Sequence, residues 1–178
     1  MSHMVKPADE IEPMRRSVLT FALFAIYAAL LIGVILFKFP FSSEGTVSGR
    51  VLNLIPFAGS STKDCSLRLD ELIENILIFV PFGIYIGMVK PNWGFAKRFL
   101  PIVATTVVFE AIQYAFEIGR ADITDVIDNA LGGLIGIGVY ALLSRAAGRR
   151  TDAIINGVAL VLTVFVLLYS AFLWSRSR

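Results

Sequence analysis

Glu110-Ala-Ile-Gln-Tyr-Ala-Phe-Glu117-Ile-Gly-Arg120-Ala-Asp122-Ile-Thr-Asp125-Val-Ile-Asp128-Asn129-Ala-Leu-Gly132-Gly133 is a block of carboxylates, amides and one arginine between two strongly apolar runs. An ionisable residue inside an apolar run is costly, and by default it marks a functional site. The fold therefore depends on how the apolar runs on either side are arranged, and on which side of a membrane this block faces.

Composition answers the first question in outline. The chain has 178 residues, 56% hydrophobic and 17% charged, with a mean hydropathy of +0.74. Soluble domains hold about 45–50% apolar and about 25% charged residues, so a membrane protein is expected. Net charge is +2, and the basic residues flank the apolar runs instead of clustering on one face. That excludes a nucleic-acid footprint, which needs a basic stripe. The single cysteine, Cys65, rules out an intrachain disulfide. The single histidine, His3, stands in a leading Met-Ser-His-Met (residues 1–4) that reads as a cloning scar. Histidine-based catalysis and zinc are thus not expected, and neither a metal site nor a cofactor is assigned.

Five apolar runs follow in order, at about residues 17–37, 72–89, 99–118, 123–143 and 153–174. Each is near the roughly 20 residues that cross about 30 Å of hydrocarbon. The expected fold is all-α: a polytopic transmembrane bundle of five helices. Residues 1–16 form a cytoplasmic N-terminal segment and 17–174 a single membrane domain. The first run competes with a signal peptide, but it is long for one and lacks a small-x-small cleavage pattern. Within the polar segment 38–71, Leu52-Asn53-Leu54-Ile55-Pro56-Phe57 is an apolar patch whose Pro56 biases Ile55 away from helix. A re-entrant or surface-lying segment and a plain loop anchor both fit it. Pro81, ahead of Phe82 and Gly83, should kink the second helix. Trp93 and Trp174 read as interfacial anchors.

Lys and Arg near helix ends set orientation. Among the short turns, Lys90, Lys97, Arg98, Arg145, Arg149 and Arg150 lie on one side, against Arg120 on the other. The long loop's Lys38, Arg50, Lys63 and Arg68 narrow that bias. The N-terminus is predicted cytoplasmic and the C-terminus outside. Asn53, Glu74, Asn75, Gln113, Glu117, Arg120, Asp122, Asp125, Asp128 and Asn129 then converge at the outer face, with Glu110 near mid-depth.

Glu110, Gln113 and Glu117 follow i, i+3, i+7 spacing, so they should share one stripe of the third helix. Asp125, Asn129, Gly132 and Gly136 repeat that geometry on the fourth, with Asp128 and Gly133 alongside. The pair Gly132-x-x-x-Gly136 permits close helix approach. The third and fourth helices should pack antiparallel with their polar stripes facing. The bland reading is a set of structural polar contacts. The sharper one is a pocket in the outer leaflet, because the acids outnumber Arg120 and an uncompensated acid cluster invites a cation.

Asn53-Leu-Ile-Pro56-Phe57, Glu74-Asn75 through Pro81-Phe82-Gly83, Glu110-x-x-Gln113, and Arg120-x-Asp122-x-x-Asp125-x-x-Asp128-Asn129-x-x-Gly132-x-x-x-Gly136 together resemble the VanZ-like family, over about residues 19–143. The resemblance implies a multi-pass protein of the cell membrane and envelope, and a link to glycopeptide resistance, notably to teicoplanin. It brings no catalytic residues with it. The expected function is a pocket that binds a cell-wall-linked lipid or a glycopeptide, with membrane lipids around it. The alternatives are a carboxylate-dependent intramembrane hydrolase or transferase acting on a lipid-linked substrate, in which Arg120 grips a phosphate, and a small cation- or proton-coupled transporter.

Overall fold

The computed structural model describes residues 8–37, 51–57, 65–118 and 120–176. The leader with His3, most of the polar segment 38–71, Gly119 and the last two residues lie outside them. The described residues form five α-helices: α1 (Ala8–Phe37), α2 (Cys65–Val89), α3 (Phe95–Phe116), α4 (Ile123–Ala147) and α5 (Thr151–Arg176). Among the described residues, four helical stretches are long and apolar enough to cross a membrane. They are Val18–Ile35, Leu69–Val89, Phe95–Phe116 and Ile123–Arg176, the last taking in both α4 and α5. Most of the helices extend beyond the apolar runs by a turn or more. Apolar content marks only the part that must leave water, whereas backbone hydrogen bonding continues into the polar flanks.

The fold is helical as expected, with one small addition. Residues 51–53 form a strand, β1, which pairs in parallel with β2 (Arg120–Asp122), the link between α3 and α4. The register sets Val51 opposite Arg120, Leu52 opposite Ala121 and Asn53 opposite Asp122. Local pattern could not announce this pair, because three residues are too few for a period-2 signal and the partner is distant in sequence.

The chain divides into two compact units. The larger, Ala28–Leu142, is built on α2, α3 and most of α4. Phe79 of α2 and Ile102 and Thr106 of α3 are completely buried in it. The Phe79 ring meets Phe82 at 5.9 Å and Phe109 edge-on at 6.5 Å, geometries that suit the aromatic quadrupole. α2 runs unbroken through Pro81.

Glycines set how closely α2 and α4 approach. A Cβ on Gly132 would overlap the carbonyl oxygen of Ile76, and one on Gly136 that of Val80. A Cβ on Gly83 would overlap the carbonyl oxygen of Gly133. These contacts advance together along both helices, so α2 and α4 run parallel with their backbones touching. The close approach expected of the Gly132 and Gly136 pair is made to α2. Gly133 also faces α3, since a Cβ there would strike the Ile102 side chain. Small residues permit such packing in lipid, where association rests on close van der Waals contact. The α3–α4 pair is antiparallel, as the short link requires: Asn129 meets Thr106, and Asp122 meets Glu110 one end further on.

The smaller unit comprises Met1–Tyr27 and Leu143–Arg178. Its internal tie is a 2.8 Å bond from Asn156 Nδ2 to Thr20 Oγ1, both buried, which joins α1 to α5. α4 ends at Ala147, and the next residue, Gly148, has a φ of +53°, the left-handed conformation glycine adopts at helix C-termini. The Thr151 hydroxyl then donates to the carbonyls of Leu143 and Gly148 at 3.1 and 2.9 Å.

Candidate functional site

The polar residues of the opening block gather where α3 ends and α4 begins. Asp122 is the hub. It precedes the first residue of α4, and its Oδ1 accepts the Thr124 N–H at 2.8 Å. That is an N-cap, which satisfies one of the four donors a helix start leaves free. Its Oδ2 accepts from Asn53 Nδ2 at 2.9 Å, and its own N–H donates to Glu110 Oε2 at 2.8 Å. One aspartate therefore ties β1, α3 and α4 together. The Asn53 carbonyl oxygen Oδ1 accepts the Ile55 N–H at 3.2 Å, and Thr124 Oγ1 accepts the Phe57 N–H at 3.1 Å.

A second tie joins α2 to α4, from Asn75 Nδ2 to Asp125 Oδ1 at 3.0 Å. Asp122 and Asp125 both stand at the start of α4, where the helix macrodipole favours negative charge. The acids are thus met by N–H donors and a helix N-terminus. Glu110 and Asp128 are buried, as are Gln113 and Asn129. Asn129 Nδ2 donates to Thr106 Oγ1 at 3.0 Å. Gln113 Nε2 donates at 2.9 Å to the Ile35 carbonyl, which lies in the last turn of α1 and has no partner further along that helix. Among the described residues, none donates a hydrogen bond to the buried Gln113 Oε1 or Asn129 Oδ1.

Two expected site residues, Glu74 and Glu117, stand apart. Glu74 is exposed on α2. Glu117 leaves the α3 stripe altogether. α3 ends at Phe116, and Glu117 takes the left-handed conformation at φ 56° as the helix C-cap. The N–H groups of Glu117 and Ile118 both turn back to the Gln113 carbonyl, the second at 3.2 Å, in a Schellman-type ending. The i, i+7 spacing of Glu110 and Glu117 assumed a helix that had already stopped. Arg120 lies in β2, and its side chain is outside what the structure describes. Among the described residues, no group of three or more His, Cys, Asp and Glu gathers to hold a metal ion.

Sequence reasoning passed over two threonines. Thr124 receives the β1 turn, and Thr106 holds Asn129. Thr106 lies one turn before Glu110, so extending the Glu110–Gln113 stripe towards the N-terminus would have found it. Thr124 gave no such signal, because its partner is 67 residues away in sequence.

Apolar spans with a polar cluster at one end of the larger unit define the class: this is a multi-pass membrane protein. The VanZ/LLP1 family model matches residues 24–144. The chain is also 34% identical over 155 residues to Protein VanZ of Enterococcus faecium, a match covering 85% of this chain and 92% of that protein. The chain belongs to the VanZ/LLP1 family. No solved structure matches it.

Proposed function

We propose that the chain spans the cell membrane five times, with its N-terminus in the cytoplasm and its C-terminus outside. The outer-facing cluster around Asn53, Glu110, Asp122 and Asp125 binds a lipid-linked cell-wall precursor or a glycopeptide, and in doing so contributes to teicoplanin resistance. The observation that carries this reading is the meeting of four elements (β1, α2, α3 and α4) through side-chain amides and carboxylates at one end of the larger unit. The basic turn with Lys90, Lys97 and Arg98 lies at the opposite ends of α2 and α3, and cytoplasmic loops carry the excess of Lys and Arg. Carboxylates and amides held in one place suit a ligand rich in amide N–H and hydroxyl groups, which a peptide or a sugar supplies. Family membership supports the link to glycopeptides, as the VanZ-like resemblance implied.

The test is expression in a glycopeptide-susceptible host, comparing teicoplanin with vancomycin sensitivity for wild type, Glu110→Ala and Asp125→Asn at matched membrane levels. The wild-type chain should lower teicoplanin sensitivity, and both variants should lose that protection. Unchanged sensitivity with the wild type, or full protection by both variants, overturns the reading.

A further inference from the structure

The turn that follows β1 combines two properties that do not belong together in a loop surrounded by water. Its side chains are apolar and point outward: Leu54 is 66% exposed, Ile55 68% and Phe57 52%, with Pro56 exposed between them. Two of its three backbone N–H groups, by contrast, are held by side-chain oxygens, one locally and one from α4. The Ile55 N–H is held by Asn53 Oδ1, Pro56 has no N–H, and the Phe57 N–H is held by Thr124 Oγ1. A water-facing loop carries polar side chains and leaves its backbone to solvent. A segment placed against hydrocarbon must do the reverse, because no water is there to satisfy a free N–H.

The position of the turn agrees with its chemistry. β1 is paired with the α3–α4 link, and Thr124 is in the first turn of α4. The turn therefore sits where two spans reach the membrane surface. Neighbouring segments at the same end are apolar on the outside as well. Leu69, Ile73 and Leu77 form an exposed stripe at i, i+4, i+8 on the first half of α2, and Phe116 at the end of α3 is 73% exposed. The apolar surface of the turn is continuous in character with that of the spans.

We infer that residues 54–57 form an interfacial wedge, seated in the boundary between lipid headgroups and acyl chains, with phospholipid as its occupant. The Asn53–Asp122 and Phe57–Thr124 bonds fix the depth of the wedge relative to α4. The inference does not depend on which ligand the polar cluster binds.

Full-length protein carrying Trp93→Phe, Trp174→Phe and Ile55→Trp, reconstituted in phosphatidylcholine–phosphatidylglycerol vesicles, tests it. Ile55 is exposed, so an indole there is accommodated without repacking. Acyl-chain bromination at a shallow position should remove roughly half of the emission, as expected for a group seated about 5–10 Å into the interface, whereas aqueous iodide should quench it weakly. Strong iodide quenching without a bromolipid effect would mean a water-exposed loop. Protection from both quenchers would mean a protein partner or a second copy of the chain. Either result overturns the inference. A spin label at Leu54→Cys in a Cys65→Ser background gives the second measurement: relaxation by oxygen should exceed relaxation by an aqueous nickel chelate, and the opposite order counts against the wedge.

Discussion

The Asn53 amide and the Asp122 carboxylate, 69 residues apart in sequence, are joined by a 2.9 Å hydrogen bond, and the same carboxylate caps α4. The start of a helix, the pairing of two strands and the tethering of a loop thereby depend on one side chain. Burying a polar group is tolerable only when its partners are present, so the pair should behave as a unit.

Asn53→Ala removes the donor to a charged acceptor and the acceptor for the Ile55 N–H. It should lower stability by about 1.5–3 kcal/mol. Asn53→Asp should cost more, because a second carboxylate then faces Asp122. Unfolding of the full chain in detergent, run as a double-mutant cycle with Asp122→Asn, measures the coupling. Additive effects would show that the bond contributes nothing of its own.

The glycines separate contact from open space. Gly132→Ala and Gly136→Ala each drive a methyl group into a carbonyl of α2, which cannot move aside as a flexible side chain would. Each should cost about 3 kcal/mol or more. Gly138, on the same helix, has nothing within 4 Å of its would-be Cβ. Gly138→Ala should be neutral or stabilising by up to about 1 kcal/mol, from helix propensity alone. Folded yield and thermal midpoint in detergent give the comparison, and equal losses at the three positions would refute the α2–α4 contact.

Glu117 holds a left-handed conformation that costs a non-glycine residue about 1–2 kcal/mol. Glu117→Gly should raise stability by roughly 1 kcal/mol, tempered by the greater freedom glycine has when unfolded. Glu117→Val should lower it, since β-branching makes the same conformation worse. A stabilising valine would mean that α3 does not end as described.

Inside the larger unit, the Thr106–Asn129 bond is buried on both sides. Measured coupling for hydrogen bonds between membrane helices averages about 0.6 kcal/mol and reaches about 1.7. A Thr106→Ala/Asn129→Ala cycle should fall in that range. Zero coupling would mean that the two side chains do not meet in the folded protein.

Orientation has a direct readout in Cys65, the only cysteine, which opens α2. With the N-terminus cytoplasmic, this end of α2 faces outward. A membrane-impermeant maleimide should therefore label intact cells as strongly as opened ones. Labelling that requires opened cells would reverse the assignment.

Much of this architecture was legible in the residue order. Apolar runs of near-spanning length located the helices, and the short Gly119–Asp122 link forced α3 and α4 to be antiparallel. The tract Glu110, Gln113, Asp122, Asp125, Asp128 and Asn129 stood out because carboxylates and amides are rare between apolar runs. The end of α3 was less legible. Glu117 continued the stripe on paper, yet the chain stops the helix one residue earlier, with no glycine at the left-handed position to announce it.

What the sequence determined by itself was the medium and the local geometry: which segments leave water, which are helical, and where ionisable groups lie along them. Those properties follow from composition and from the 3.6-residue period, and both act over a turn or two. The tertiary structure decided the partners. Gly132 and Gly136 pack against α2, Gln113 holds the end of α1, and Asn53 crosses 69 residues to reach Asp122. Such pairings depend on which surfaces come within hydrogen-bonding or van der Waals reach once the helices pack. That distance is a property of the assembled bundle, and no local period encodes it.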